Sequence, residues 1–528
     1  MRRAFTGLKL RDGPANSYDA VIIGAGIGGL ICANLLARQG LRVLLVEQHY
    51  MAGGYCSTFK RKGYTFDAAT HFYPLLGNPD TITGRLLLDL GITTDWVKMD
   101  PVDHFHFPDG SSFSVPADFD LYRAKLKAEF PQEAPALDDF FALVREAYML
   151  GLLYYFRGRY SDHLDRFRDL TLRQALDQHF RDQKLKLLLT ADGPHWGSPP
   201  CRTSFVFDSM LRLSYFLGNY YPVGGSQAFA DELAGRFEEL GGHILMSSLV
   251  TRILARNKTA CGVEILTGPV RARWTKQVRA GVVISNADLL QTLEHLLGPE
   301  HLEPGYLESV RKLRPSYPCY LTHIGVKDMP AEVLRQAQGY YWNLWDADQM
   351  GRHGLKFKIF VPTLYEPRMA PPGRHVVIIQ KVMEINYDAI ENWAAHKASV
   401  EEYIMRNLEQ VIPGFSDKIV VKQTASALTS YRFTLNHQGA MLGWEMSPDQ
   451  LAPDRPSIVG PIKNLFFTGH WVQPGGGITP VIISAMQVAK LITQRTEVQP
   501  APTEIYARPA ASAAGGLARL SASPASAD

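Results

Sequence analysis

Residues 18–47, YDAVIIGAGIGGLICANLLARQGLRVLLVE, restrict the fold more than any other stretch. The apolar run Ala20 to Ile23 has the length and β-branched content of a buried parallel strand. It leads directly into Gly24-Ala25-Gly26-Ile27-Gly28-Gly29, in which Gly24, Gly26 and Gly29 form G-x-G-x-x-G. The next residues predict a helix with Leu30, Ile31, Leu35 and Leu36 on one side and Gly40 as its stop. A second strand, Leu41 to Val46, closes on the acid Glu47. In such a unit the glycines allow a tight turn, close approach to a pyrophosphate and close helix–strand packing. The helix N-terminus presents unpaired N–H groups to the phosphates, and the acid accepts from ribose hydroxyls. An acid at this place disfavours a 2′-phosphate, which leaves FAD or NAD and argues against NADP.

With 528 residues the chain has room for two or three domains. Its 55 basic and 52 acidic residues leave a net charge of +3, which gives no reason to invoke a nucleic acid partner. Cys32, Cys56, Cys201, Cys261 and Cys319 lie far apart without a CxxC, so a disulfide framework or structural zinc site is not expected, nor any other metal. No apolar run reaches the roughly 18 residues of a membrane span. Residues 1–17 read as a short disordered lead without the apolar stretch of a secretory signal. No second G-x-G-x-x-G exists, which argues against FAD and a nicotinamide in separate nucleotide folds.

After Glu47, Gly53-Gly54 is placed to bring backbone N–H groups to further cofactor oxygens, and KRKGYTFD reads as a hairpin. With these motifs the chain resembles the FAD-dependent desaturase and isomerase family of bacterial-type phytoene desaturases, carotenoid isomerases and retinol saturase. In that family a glycine pair follows the ribose-binding acid, and a hairpin like Gly63-Tyr64-Thr65-Phe66-Asp67 leads towards the flavin. Ala68-Ala69-Thr70-His71 departs from the glycine-containing segment more usual in carotene desaturases. The resemblance implies that the backbone of Val250, in Ser248-Leu249-Val250-Thr251, pairs with the adenine edge. It also makes NLFFTGHWVQPGGGITPVIISAMQVAKLI (464–492) the C-terminal flavin motif, with Gly469, His470, Gly477, Ile478 and Thr479 at the cofactor. Many relatives carry an acid where His470 stands. Thr479-Pro480 has the chemistry of an N-cap followed by a first helical residue. A helix starting there would aim its positive end at the flavin.

The expected fold is α/β: a discontinuous Rossmann-type FAD-binding domain with an inserted mixed α+β substrate domain. Its FAD-binding parts are 18–100, 221–288 and 441–495. Between them lie a mostly helical insertion at 101–220 and a substrate-domain sheet at 289–440, and residues 496–528 form a disordered tail. Asp109-Gly110 marks a hairpin, and YPCYLTHIGV and HVVIIQKVME read as antiparallel strands. Tyr148 to Phe156, followed by Arg157, Arg159 and Arg166, suits either a helix on a membrane surface or a buried helix of the substrate domain. Frequent aromatics in 289–440 read mainly as core, and their density suits a pocket for a long apolar substrate.

The resemblance thus implies an FAD-dependent oxidoreductase that desaturates or isomerises a carotenoid or other isoprenoid polyene. It would lie peripherally on the cytoplasmic side of a membrane, with a quinone or oxygen as electron acceptor. His71 is the candidate proton-transfer residue. A flavin amine oxidase of the same fold and a non-catalytic carotenoid- and FAD-binding protein are the alternatives.

Overall fold

The computed structural model describes residues 14–157, 162–268, 272–451 and 454–494. The expected tail, most of the lead, and Arg159 lie outside the described residues, as does the side chain of Arg157.

The first sheet has seven strands. Ser17–Ile23 pairs in parallel with Val43–Val46 on one side and with Trp274–Ser285 on the other, and His243–Leu245 extends the parallel run beyond Val43–Val46. The strand Trp274–Ser285 has two characters. Its first half joins Leu249–Arg256 and Thr259–Thr267 in an antiparallel meander and is partly exposed. Its second half, between Ser17–Ile23 and Leu465–Phe467, is buried on both faces, as parallel strands are. This arrangement brings the three expected FAD-binding parts into one sheet.

The helix Ile27–Arg38 follows the glycine turn as expected, but it is buried on nearly all sides rather than one. The sheet and the helices Ser226–Glu239 and Ile478–Thr493 surround it. Leu35 is only half-buried, and the second strand begins at Val43, two residues later than expected.

The second sheet runs in the order Ile419–Ala425, Cys319–Val326, His375–Val382, Leu355–Phe360, Gly339–Trp342, Asp103–His106, Ser112–Val115. All neighbours are antiparallel except Gly339–Trp342 and Asp103–His106. The hairpin of the 101–220 segment is therefore part of the 289–440 sheet, and the two segments build one body. Alternation divides the sheet's side chains. Tyr320, Ile324, Phe357, Ile359, Val377 and Ile379 pack against the helix Trp393–Val411. The opposite face carries Leu321, Tyr340, Lys358 and Gln380, partners in one cross-strand row. The helices Ala134–Arg157 and Phe205–Phe216 pack on each other beside this face.

The hairpin Thr58–Arg61 and Tyr64–Asp67 joins the two sheets. Asp67 accepts from the Ser226 amide at 3.0 Å and from the Tyr221 hydroxyl, while its own carbonyl faces His323 Nε2 at 3.0 Å. Among the described residues no helix is long and apolar enough to cross a membrane.

Candidate active site

A cavity of about 440 Å³ runs from the glycine turn to the second sheet. At the first end, Gly26 precedes the helix Ile27–Arg38 without any side-chain cap, and Gly24, Gly26, Ile27 and Gly28 line the cavity. The amide of Asn286 fills the space behind the turn, its Nδ2 donating to the Gly24 carbonyl at 3.3 Å. A Cβ on Gly28 would stand 2.5 Å from Asn286 Oδ1, and one on Gly29 would stand 2.1 Å from the Gly24 carbonyl oxygen. Such a cradle, with helix amides open to a groove, fits a pyrophosphate.

Glu47 is buried at the end of its strand. Its Oε2 accepts from the Ala25 amide at 2.7 Å and its Oε1 from the His49 amide at 2.8 Å. Burial raises its pKa above the ordinary carboxylate value despite these bonds. Each carboxylate oxygen keeps a lone pair for a ribose hydroxyl. Val250, in the antiparallel meander, and Gly54 also line the cavity. Gly53 differs from expectation: its N–H donates to the Ala25 carbonyl at 2.8 Å, so it shapes the wall and offers no N–H to the cofactor.

The C-terminal motif forms the middle of the wall through Gly469, His470, Gly477, Ile478 and Thr479. Here the expected cap is corrected. The helix starts at Ile478, and Gly477, at φ 101° and ψ 155°, occupies the N-cap position. Thr479 lies within the first turn, and its hydroxyl donates to the Pro74 carbonyl at 3.0 Å, fastening the helix to the segment that carries His71. Its N-terminus therefore opens on the cavity with no side chain satisfying its amides, as a site for developing negative charge requires. Burial and the nearby Arg455 push the pKa of His470 down to about 3, so it stands as a neutral hydrogen-bonding ring.

At the far end, Leu321, Tyr340, Lys358 and Gln380 form the floor. His71 Nδ1 lies 3.0 Å from the Ala69 carbonyl, which can only accept, so the proton sits on Nδ1. The Gln380 amide nitrogen lies 3.0 Å from His71 Nδ1 and 3.1 Å from Nε2, of which Nε2 can accept from it, and Nε2 lies 3.3 Å from His195 Nε2. Lys358 Nζ is 3.3 Å from that same His195 nitrogen, which leaves the His195 proton on Nδ1, 3.1 Å from the Tyr215 hydroxyl, with Asp192 Oδ1 also 2.7 Å from Nδ1. Sequence reasoning missed Asn286, His195, Lys358 and Gln380 as site residues. The signal for the last two was a polar residue on the same face of neighbouring apolar strands.

The family model described as flavin-containing amine oxidoreductase matches residues 27–493. The chain belongs to this family. Relatives of this flavin-containing oxidoreductase include prolycopene isomerase 1, chloroplastic, of an Oncidium hybrid cultivar, at 29% identity, covering 90% of this chain and 84% of the relative. The all-trans-retinol 13,14-reductase of Danio rerio is 26% identical, covering 86% and 82% respectively. The phytoene desaturase (neurosporene-forming) of Cereibacter sphaeroides is 27% identical, covering 92% and 98%. The cofactor of this flavoprotein is FAD, and the carboxylate, the cradle and the open helix end fit its adenosine ribose, its pyrophosphate and its flavin respectively.

Two predictions concern the cofactor. Ribose hydroxyls favour an ionised Glu47, so FAD binding should release a proton wherever the raised pKa leaves the free carboxyl partly protonated. Affinity should therefore fall as pH drops through that pKa. Glu47→Gln, which can still accept from Ala25, should flatten the dependence and weaken FAD by about 1.5–3 kcal/mol at neutral pH. Equilibrium titration of apoprotein with FAD across pH measures both, and an unchanged pH profile would contradict the role. Gly477→Val forces a β-branched residue to φ 101° at the flavin wall, so the purified variant should lack FAD by its visible spectrum. Thr479→Ala loses one neutral hydrogen bond, about 1 kcal/mol of stability, and should retain FAD.

Proposed function

We propose that this flavoprotein transfers hydride to or from a long apolar polyene of the carotenoid and retinoid class, by desaturation or by redox-assisted cis–trans isomerisation. The observation that carries this reading is the continuity of one cavity from the dinucleotide cradle to an apolar arm walled by Tyr148, Leu152, Phe207, Met210 and Leu211. The names of the relatives agree with it, since isomerase, reductase and desaturase each act on a polyene. FAD, when bound, supplies a flavin ring that accepts or returns a hydride.

The protein's own residues provide the rest. The apolar arm excludes water and holds the polyene along its length. The Thr479–Pro74 bond keeps the flavin-facing helix end and the His71 segment in fixed relation. Burial lowers the His71 pKa well below 6.5, so at neutral pH the ring is uncharged with Nε2 unprotonated, and on exchange of its Gln380 contact for substrate that nitrogen takes the proton from the carbon beside the one losing hydride. An amine substrate is less well served, because the floor already carries the Lys358 ammonium. A quinone or oxygen is the proposed electron acceptor.

Anaerobic incubation of the FAD-loaded protein with a panel of polyenes and amines, followed by product mass, tests the reading. Loss of two hydrogen atoms from a polyene identifies desaturation, and an unchanged mass with a shifted spectrum identifies isomerisation. Turnover of amines alone would overturn it. His71→Asn should keep FAD and lower turnover by about 10²–10⁴-fold; undiminished turnover would remove His71 from the chemistry.

For the helix Ala134–Arg157 the sequence left a choice between a membrane surface and the interior of the substrate domain. Tyr148 and Leu152 face the cavity, while Met149 (55% exposed) and Leu153 (43%) face outward. We assign this exposed pair to reversible contact with a membrane surface from which an apolar substrate enters. Liposome flotation should be lost on Met149→Glu/Leu153→Glu, and equal flotation of both proteins would contradict the contact.

A further inference from the structure

The far end of the cavity contains a charged corner that an apolar substrate does not require. Lys358 Nζ stands 2.5 Å from Asp103 Oδ2 and 3.3 Å from His195 Nε2, with both members of the ion pair buried. The ammonium also lies 3.9 Å from the ring centroid of Phe72 and 4.3 Å from that of Tyr340. Burying such a pair costs several kcal/mol unless its hydrogen-bonding capacity is used. An ammonium has three donors. Asp103 takes one and His195 a second, and Lys358 lines the cavity whereas Asp103 and Asp192 do not. The groups presented to a ligand are thus donors, with carboxyls standing behind them.

The balance of charge narrows the ligand further. The Lys358 ammonium faces two carboxyls, Asp103 and Asp192, and Arg212, the other cation acting on Asp192, is ion-paired with Asp208, so a ligand carboxylate would find no unspent positive charge. Burial raises the Asp192 pKa to about 7, which leaves the corner close to neutral when that carboxyl is protonated. Asp103, Asp192 and His195 also converge closely enough to suggest a metal, but the Lys358 ammonium already fills the cation's place.

We propose that this corner anchors the uncharged oxygen of an end-functionalised polyene, a hydroxyl or carbonyl that accepts from Lys358, with the tail in the apolar arm. The substrate is then an oxygenated polyene, not a hydrocarbon or a polyene acid. Because His71 and Lys358 both stand 3.3 Å from the same His195 nitrogen, the oxygen-bearing end lies next to the bond that reacts. This inference rests on the polyene reading above.

The test is anaerobic titration of the FAD-loaded protein, read by perturbation of the flavin spectrum. The ligands are a polyene alcohol, the aldehyde and carboxylate of the same skeleton, the parent hydrocarbon and an aliphatic diamine. The alcohol or aldehyde should bind about ten- to a hundredfold more tightly than hydrocarbon or carboxylate, as one charge-assisted hydrogen bond allows. Lys358→Met should abolish that preference and leave hydrocarbon binding intact. Asp103→Asn/Lys358→Met removes both charges together and covers the case in which the single variant, with Asp103 left unpaired, does not fold. Equal affinity for alcohol and hydrocarbon in the wild type, tighter binding of the carboxylate, or an alcohol preference that survives in either variant would overturn the anchor while leaving the polyene reading in place. Binding of the diamine with no response to any polyene would overturn both.

Discussion

Much of the structure depends on how closely three distant pieces of chain approach one another around the side chain of Asn286. Its amide lies against Gly24, Gly26, Gly28 and Gly469, and a Cβ at Gly28 or Gly469 would come within 2.8 Å of its oxygen. This fixes the first glycine turn to the end of the long strand Trp274–Ser285 and to the C-terminal flavin segment. The same crowding brings Val481 onto Gly28, so the helices Ile27–Arg38 and Ile478–Thr493 converge. Both helices begin at uncapped glycines on the same cavity. Two positive helix ends facing one groove favour a ligand with negative charge at both places, which a dinucleotide with a reducible flavin supplies.

The cavity changes character along its length, and its electrostatics follow burial. His71 and His470 are held neutral by desolvation, so they act through lone pairs and N–H groups instead of charge. Glu47 and Asp192 are shifted upward for the same reason. The floor's cation, Lys358, keeps a carboxylate within hydrogen-bond distance, because isolated charge in such surroundings is too costly. Between these polar points the wall is aromatic and aliphatic, which suits a long apolar ligand held by area and oriented by a few hydrogen bonds.

The parts of the fold legible in the sequence were those with local signals. Strand, glycine turn, helix, strand and acid occur within thirty residues, and the hairpins at Gly63 and Gly110 carry their own turn chemistry. The strands Cys319–Val326 and His375–Val382 were legible from apolar composition. The pairing of Asp103–His106 with Gly339–Trp342 was not, since more than two hundred residues separate them and nothing local records the partner. Thr479 misled because its side chain suits an N-cap equally well, and only the position of Pro74 reveals its use. In LKFKIF, Lys356 and Lys358 look alike in sequence, yet one is half-buried and the other lies in the floor of the site. The chemistry of the far end therefore became visible only once the strands were laid side by side.

An experimental structure of the FAD-bound protein tests the central arrangement most directly. The pyrophosphate should lie at the amides of Ile27 to Gly29, with the ribose hydroxyls on Glu47. The flavin ring should lie between the N-terminus of Ile478–Thr493 and the His71 segment, leaving the apolar arm and the Lys358 corner open to substrate. A flavin ring filling the arm walled by Leu152 and Met210, or a dinucleotide running in the opposite direction, would contradict it.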